Sequence, residues 1–328
     1  MNTTRDLYRI FLLLLVSSLS LAETLKVYTY DSFVSEWGPG PQLEKLFETQ
    51  CRCDLEFIAN EDGVSVLNRL RMEGKRTQAD VILGLDNLIL QQALDEKLMS
   101  KHQQDLSSLT KNLNWNNDYF VPFDYGYFAW IYNSEKISKA ATSFEELVNS
   151  NATLVYQDPR TSTPGFGLLA WVNQLYPENA ADMWKKIAKN TETVTPGWWE
   201  AYSLFLNGGS DYVLSYTTSP VYHQILEDNH QYKAAPFDQG HVTQIEVAGV
   251  STFSKKKALA REFLAFLISK PAQEILPVTN WMLPVIDGVE LPKAFSQVIK
   301  TETITLDSKS VDQDKDKWIK EWRSSVVN

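Results

Sequence analysis

Thr24-Leu25-Lys26-Val27-Tyr28-Thr29-Tyr30 reads as a strand, and the alternation of elements that begins there decides the fold. A helical run covers Pro41 to Gln50, a second strand Asp54 to Ala59, a helix Gly63 to Glu73, and a third strand Ala79 to Leu85. Short apolar strands separated by helices of this length predict a βαβαβ unit with a parallel sheet. Such open sheets take ligands beyond the carboxyl ends of their strands. The loops there are Tyr30-Asp31-Ser32, Glu61-Asp62-Gly63 and Gly84-Leu85-Asp86, and each carries an aspartate.

Beyond this unit, Phe120-Val121-Pro122-Phe123-Asp124-Tyr125-Gly126-Tyr127 sets Pro and Gly inside an aromatic run, which predicts a crossing between domains. A second α/β set comes next, with strands at Thr153 to Gln157 and Tyr212 to Tyr216 and helices at Gly165 to Leu175, Gly197 to Leu206 and Pro220 to Glu227. Gln244-Ile245-Glu246-Val247-Ala248 reads as the return crossing. The expected division is residues 23–122 plus 248–328 as one lobe and 123–247 as the other. Helices are expected at Lys255 to Ile268 and Val311 to Val326. In the latter, Trp318 and Trp322 lie one turn apart and read as packing residues.

Residues 1–22 read as a cleaved secretory signal: Arg5 and Arg9 precede the apolar run Ile10 to Val16, and Ser20-Leu21-Ala22 offers small residues at the cut. The run falls short of the roughly 20 residues a spanning helix needs, so membrane insertion is not expected. Removing this segment takes the formal charge from −10 to −11. So acidic a chain argues against nucleic acid as a partner and suits cationic ligands. Cys51 and Cys53 permit a small disulfide of structural kind, and no zinc site is expected of them.

Four sequences read as helix openings: Asp62-Gly63-Val64-Ser65, Thr161-Ser162-Thr163-Pro164-Gly165, Thr195-Pro196-Gly197-Trp198-Trp199 and Tyr216-Thr217-Thr218-Ser219-Pro220. Proline just inside a helix after a Ser or Thr cap leaves later backbone N–H groups free for an anionic or hydroxyl-bearing ligand. Neighbouring Trp and Tyr rings suit an aromatic cation. The same Ser, Thr and Asp residues could equally serve as ordinary caps, and Asp31 and Asp86 as solvated loop carboxylates. His102, His223, His230 and His241 have no metal-ligand spacing and read as surface or structural. A secreted hydrolase would need a nucleophile with its base or a carboxylate pair, and no local signature of either is present.

Seven segments together resemble the periplasmic thiamine-binding proteins of bacterial ABC importers. They are Val27 to Phe33, Trp37 to Pro41, Glu61 to Ser65, Asn68 to Lys75, Gln157 to Gly165, Ser215 to Pro220 and Asn280-Trp281-Met282, spread over nearly the whole chain. The resemblance implies an α/β, two-lobed class II periplasmic binding protein fold with two crossing hinge segments. It implies a carrier without catalytic residues, bound metal or cofactor, which closes on thiamine, thiamine monophosphate or thiamine diphosphate and delivers it to an ABC permease powered by an ATPase.

Carried over by position, the resemblance places ligand contacts at Asp62, Gly63, Ser162, Thr163, Trp198, Tyr216, Thr217, Thr218 and Ser219, with Tyr30, Tyr222 and Trp281 as further aromatic contacts. Asp62 would then pair the aminopyrimidine edge, Ser162 and Thr163 would meet the hydroxyethyl arm or its phosphate, and an indole would cover the thiazolium. Of the adjacent Trp198 and Trp199, one ring is expected packed inward and the other free, and the resemblance selects Trp198 as the free, ligand-facing ring. Ferric ion or polyamine carriage in the same fold family is the alternative, with Tyr125 and Tyr127 as the oxygen ligands an iron site would want.

Overall fold

The computed structural model describes residues 23–326; the expected signal segment, residues 1–22, lies outside the described residues. Twelve strands are described: β1 (Thr24–Tyr30), β2 (Asp54–Asn60), β3 (Val81–Asp86), β4 (Met99–Ser100), β5 (Phe120–Asn133), β6 (Leu154–Gln157), β7 (Thr191–Thr195), β8 (Tyr212–Tyr216), β9 (Tyr232–Ala234), β10 (His241–Ser251), β11 (Leu283–Pro284) and β12 (Thr303–Ile304). Between them run α1 (Asp31–Val34), α2 (Gly40–Cys51), α3 (Gly63–Glu73), α4 (Leu90–Asp95), α5 (Phe144–Asn149), α6 (Thr163–Leu175), α7 (Ala180–Asn190), α8 (Trp198–Leu206), α9 (Ser219–Leu226), α10 (Lys257–Leu267), α11 (Lys270–Thr279) and α12 (Ser308–Val326).

The main strand order is β2-β1-β3-β10-β5-β8-β6-β7. β1, β2 and β3 are parallel to one another, as are β6, β7 and β8, so each end of the sheet is a βαβ set with its own helices. The two long strands β5 and β10 lie antiparallel between these sets and carry the chain across. β5 pairs with β10 through Phe120 to Tyr127 and with β8 through Phe128 to Tyr132. The segments read as outgoing and returning crossings are therefore neighbouring strands of one two-lobed α/β molecule. β3 and β10 are buried along their whole length; β3 is a nearly continuous apolar run, whereas β10 also buries His241, Thr243, Gln244, Glu246 and Ser251.

Two bulges follow Glu246 along β10, one opposite each neighbouring strand. Opposite β3 the register passes from Val247↔Leu85 to Ala248↔Leu83, leaving Gly84 unpaired, and opposite β5 it passes from Glu246↔Asp124 to Val247↔Pro122, leaving Phe123 unpaired. A bulge is where a strand tolerates an inserted residue, a proline or a glycine. Gly84 has φ +95°, and a Cβ there would stand 2.3 Å from Tyr30 Cδ1. Gln273 on α11 donates through Nε2 to the Phe123 carbonyl at 2.7 Å and steadies the second bulge.

α12 packs on α6 and α7 of the second lobe and also on α4 of the first, so a division that gives 248–328 to the first lobe does not describe this helix. Trp322 is buried and donates to the Tyr156 hydroxyl at 3.1 Å, a packing role. Five helices, the short α1, α4 and α5 and the longer α7 and α11, were absent from the expected elements. α7 buries Ala180, Met183, Trp184 and Ile187, a spacing of three and four that marks a helix. α11 contains Pro271 and Pro277, residues that read as breakers. Cys51 and Cys53 are disulfide-bonded at the end of α2.

Candidate functional site

A cleft lies where the carboxyl ends of both parallel sets face each other. α3 follows β2, α6 follows β6, α8 follows β7 and α9 follows β8, so four helix N-termini converge there. Each contributes to the lining: Asp62 at the cap of α3, Thr163 and Pro164 on α6, Trp198 and Trp199 on α8, and Ser219 on α9. Tyr30, Tyr216, Tyr222 and Trp281 also line it. Among the described residues the lining contains Glu61, Asp62 and Glu246 and no lysine, arginine or histidine.

Gly63, Ser162, Thr217 and Thr218 are not part of that lining. Gly63 sits where a Cβ would approach the Gly84 carbonyl oxygen to 2.0 Å, so its place is one of backbone packing. Ser162 Oγ donates to Asp62 Oδ2 at 2.7 Å and accepts from the Gly165 N–H at 3.4 Å as the cap of α6. Thr163 Oγ1 donates to Asp62 Oδ1 at 3.0 Å, and the same carboxylate oxygen accepts from the Gly63 N–H at 2.7 Å. Asp62, Ser162 and Thr163 thus join the first lobe to the second by engaging one another. The Ser65 N–H reinforces this by donating to the Thr161 carbonyl at 3.0 Å. Burial raises the Asp62 pKa above its ordinary value against the pull of these hydrogen bonds. Thr217 and Thr218 are buried beneath the cleft, their hydroxyls without a hydrogen-bond partner among the described residues.

Trp198 is half-buried: its Nε1 donates to Ser215 Oγ at 2.8 Å and its ring stacks on Tyr202 at 4.9 Å, 21° from parallel. Trp199, rather than Trp198 as expected, is the more open ring and packs 4.9 Å from Trp37, which reaches over from the first lobe. Across the cleft, Trp281 meets Tyr222 edge to face at 5.3 Å. Trp281 has φ +58°, a strained conformation for a large side chain. Tyr216 donates to Gln244 Oε1 at 2.9 Å.

The floor is acidic. The Tyr30 hydroxyl donates to Glu246 Oε2 at 2.7 Å, and Gln244 Nε2 donates to Glu246 Oε1 at 3.0 Å. Asn280 Nδ2 donates to Asp124 Oδ2 at 2.6 Å and reaches Glu246 Oε2 at 3.3 Å. Asp86 is not a solvated loop carboxylate: it is fully buried, and its Oδ1 accepts from the N–H groups of Leu88 and Ile89. Burial pushes Asp86 and Asp124 up to about 7 and, together with the charge of Asp124, lifts Glu246 well above the usual carboxylate range.

Glu246, Asn280, Trp37 and Tyr202 line the cleft but were outside the expected site set. For Glu246 a signal was present, since one acid interrupts an otherwise apolar strand in Ile245-Glu246-Val247-Ala248. Tyr125 and Tyr127 pack edge to face at 6.2 Å and do not line the cleft, which removes them as a basis for an iron site there. The buried histidines are structural: His102 bonds the Asn117 carbonyl, His223 bonds Tyr202 and Glu227, and His241 bonds the Phe128 carbonyl.

This geometry agrees with what the chain is similar to. Residues 38–274 match the bacterial extracellular solute-binding protein family. The chain belongs to that family. A thiamine-binding periplasmic protein of Salmonella typhimurium is 49% identical over 96% of this chain and 97% of its own length. The protein of the same name from Escherichia coli is 48% identical, with the same coverage. A solved periplasmic thiamin binding protein superposes with a TM-score of 0.92 at 48% identity, covering 94% of this chain and 98% of that one. Members of this solute-binding family are carriers, and the four helix N-termini and aromatic walls described above are where this member presents its cleft.

Proposed function

We propose that this chain is a periplasmic carrier that closes its cleft on thiamine and passes it to an ABC permease driven by an ATPase. One observation carries the reading: the cleft combines aromatic walls with buried acids and has no basic lining residue among those described. Thiamine is a heteroaromatic monocation. An indole or phenol face over its thiazolium is worth about 2 kcal/mol when water is excluded. The relatives' names and the full-length identity support the same ligand.

Phosphate esters belong to the proposal as well. Without lysine or arginine in the lining, a phosphate would rely on the N–H groups that open α6, α8 and α9. Periplasmic residence rests on the relatives' names and on the signal-like sequence of residues 1–22. Carriage without chemical turnover is the reading for the cleft.

The test is a tryptophan-fluorescence titration of ligand-stripped mature protein with thiamine, spermidine and ferric citrate in parallel. Saturable quenching by thiamine at the lowest concentration is expected. Quenching by spermidine or ferric citrate alone would transfer the assignment to that ligand class.

A further inference from the structure

We propose that Asp124 and Glu246 form a single proton-sharing counter-charge for the ligand's ring, so that binding a permanent cation expels a proton from the hinge into solvent. This rests on the reading of the ligand as thiamine.

The placement is built by the backbone. Asp86, Glu246 and Asp124 lie directly opposite one another on β3, β10 and β5, because the bulges at Gly84 and Phe123 bring both aspartates into register with Glu246. Cross-strand partners project to the same face, so these three acids would repel if all were ionised. Among the described residues Asn280 Nδ2 is the one donor to Asp124 and is shared with Glu246, which also accepts from the Tyr30 hydroxyl and from Gln244 Nε2. Asp124 Oδ1 and Asp86 Oδ2 are buried with no hydrogen-bond partner among the described residues. Two buried carboxyls facing each other with too few donors are stable when one proton lies between them.

The surroundings do not neutralise the pair. The groups facing it are Tyr30 from β1, Asp62 from the start of α3, Asp86 from β3, Tyr216 from β8, Gln244 from β10 and Asn280 from the end of α11. None is a cation, and none of the described ion pairs includes Asp62, Asp86, Asp124 or Glu246. Glu246 lines the cleft, so a ring bearing a fixed positive charge can supply the missing cation. Its field favours the ionised pair, the shared O–H bond breaks, and the proton passes to buffer. Ligand charge is thereby read at the strands about which the lobes move, a contact separate from aromatic stacking.

Isothermal titration of the ligand-stripped protein at pH 7, in phosphate and in Tris, counts the proton through the buffer's ionisation heat. Thiamine should release up to about one proton, and its affinity should rise by up to about tenfold per pH unit near neutrality. A thiophene isostere without ring charge should bind more weakly and release none. Glu246→Gln and Asp124→Asn should each suppress the release. Equal heats in both buffers for wild type with thiamine would overturn the proposal while leaving thiamine carriage intact, and this arm needs no variant. Proton release by the isostere equal to that by thiamine would overturn it too. Absence of thiamine binding in either buffer would overturn the carriage reading and this inference together.

Discussion

Ser162 Oγ donates to Asp62 Oδ2 at 2.7 Å, and this bond joins the cap of one helix to the cap of another across the cleft. The two residues are 100 positions apart. Each looks locally like a helix cap, and both are, yet together they latch the lobes. Replacing Ser162 and Thr163 by alanine leaves the buried Asp62 with fewer donors, at a cost of about 1–3 kcal/mol. Affinity for thiamine monophosphate should fall more than affinity for thiamine if these hydroxyls also meet the phosphate. Equal losses for both ligands, with a lowered melting temperature, would confine them to holding the lobes together. Titration calorimetry of both ligands with circular dichroism separates the outcomes.

Trp198 and Trp199 should divide their effects. Trp198→Ala removes a ring stacked on Tyr202 and its bond to Ser215, so affinity should drop by about 1–3 kcal/mol and stability should fall too. Trp199→Ala removes a ring 44% exposed that touches Trp37, so melting should stay near wild type. Fluorescence titration and thermal melts of both variants check this. A larger melting loss for Trp199→Ala would contradict it.

Stability of the ligand-free protein should decline as pH rises from about 4 to about 7. Asp86 is pushed by burial from 3.8 up to about 7, so the folded state holds a proton the unfolded chain has released. The stabilisation is complete below the unfolded value, is lost through this window and is flat above it. One such group contributes a slope of up to about 1.4 kcal/mol per pH unit. Asp86→Asn keeps an acceptor for Leu88 and Ile89 and should flatten the decline. Urea unfolding at pH 5, 6, 7 and 8 measures the slope, and an unchanged slope in the variant would exclude Asp86 as its source.

Gly84→Ala should be destabilising by about 1–3 kcal/mol, since the position combines a left-handed backbone with a Cβ site 2.3 Å from Tyr30. Displacing Tyr30 also disturbs its bond to Glu246, so ligand affinity should weaken alongside melting. Wild-type values for both would show that the bulge can shift without consequence.

Much of the architecture was legible because it is written in local periodicity. Gly63 to Glu73 and Tyr212 to Tyr216 have in the structure the bounds that pattern and punctuation predict. The four helix openings were readable from Asp, Ser, Thr, Gly and Pro at their starts, since capping is a matter of a few adjacent residues. α11 was not, because Pro277 inside a helix contradicts the local rule and only its packing explains it.

The sequence by itself determined the alternating elements, the two crossings, the acidic balance and the presence of helix starts rich in hydroxyls and aromatics. Tertiary structure alone decided where the polar atoms of those starts point. Ser162 and Thr163 turn to Asp62, while Thr217 and Thr218 lie beneath the cleft. It also decided that Asp86, Asp124 and Glu246, lone acids in three separate apolar runs, meet in one row. The physical reason is that periodicity assigns a residue to a face of its own element, whereas hydrogen-bond satisfaction and charge proximity depend on register between strands distant in sequence. Here two bulges set that register, and neither can be read without the partner strand.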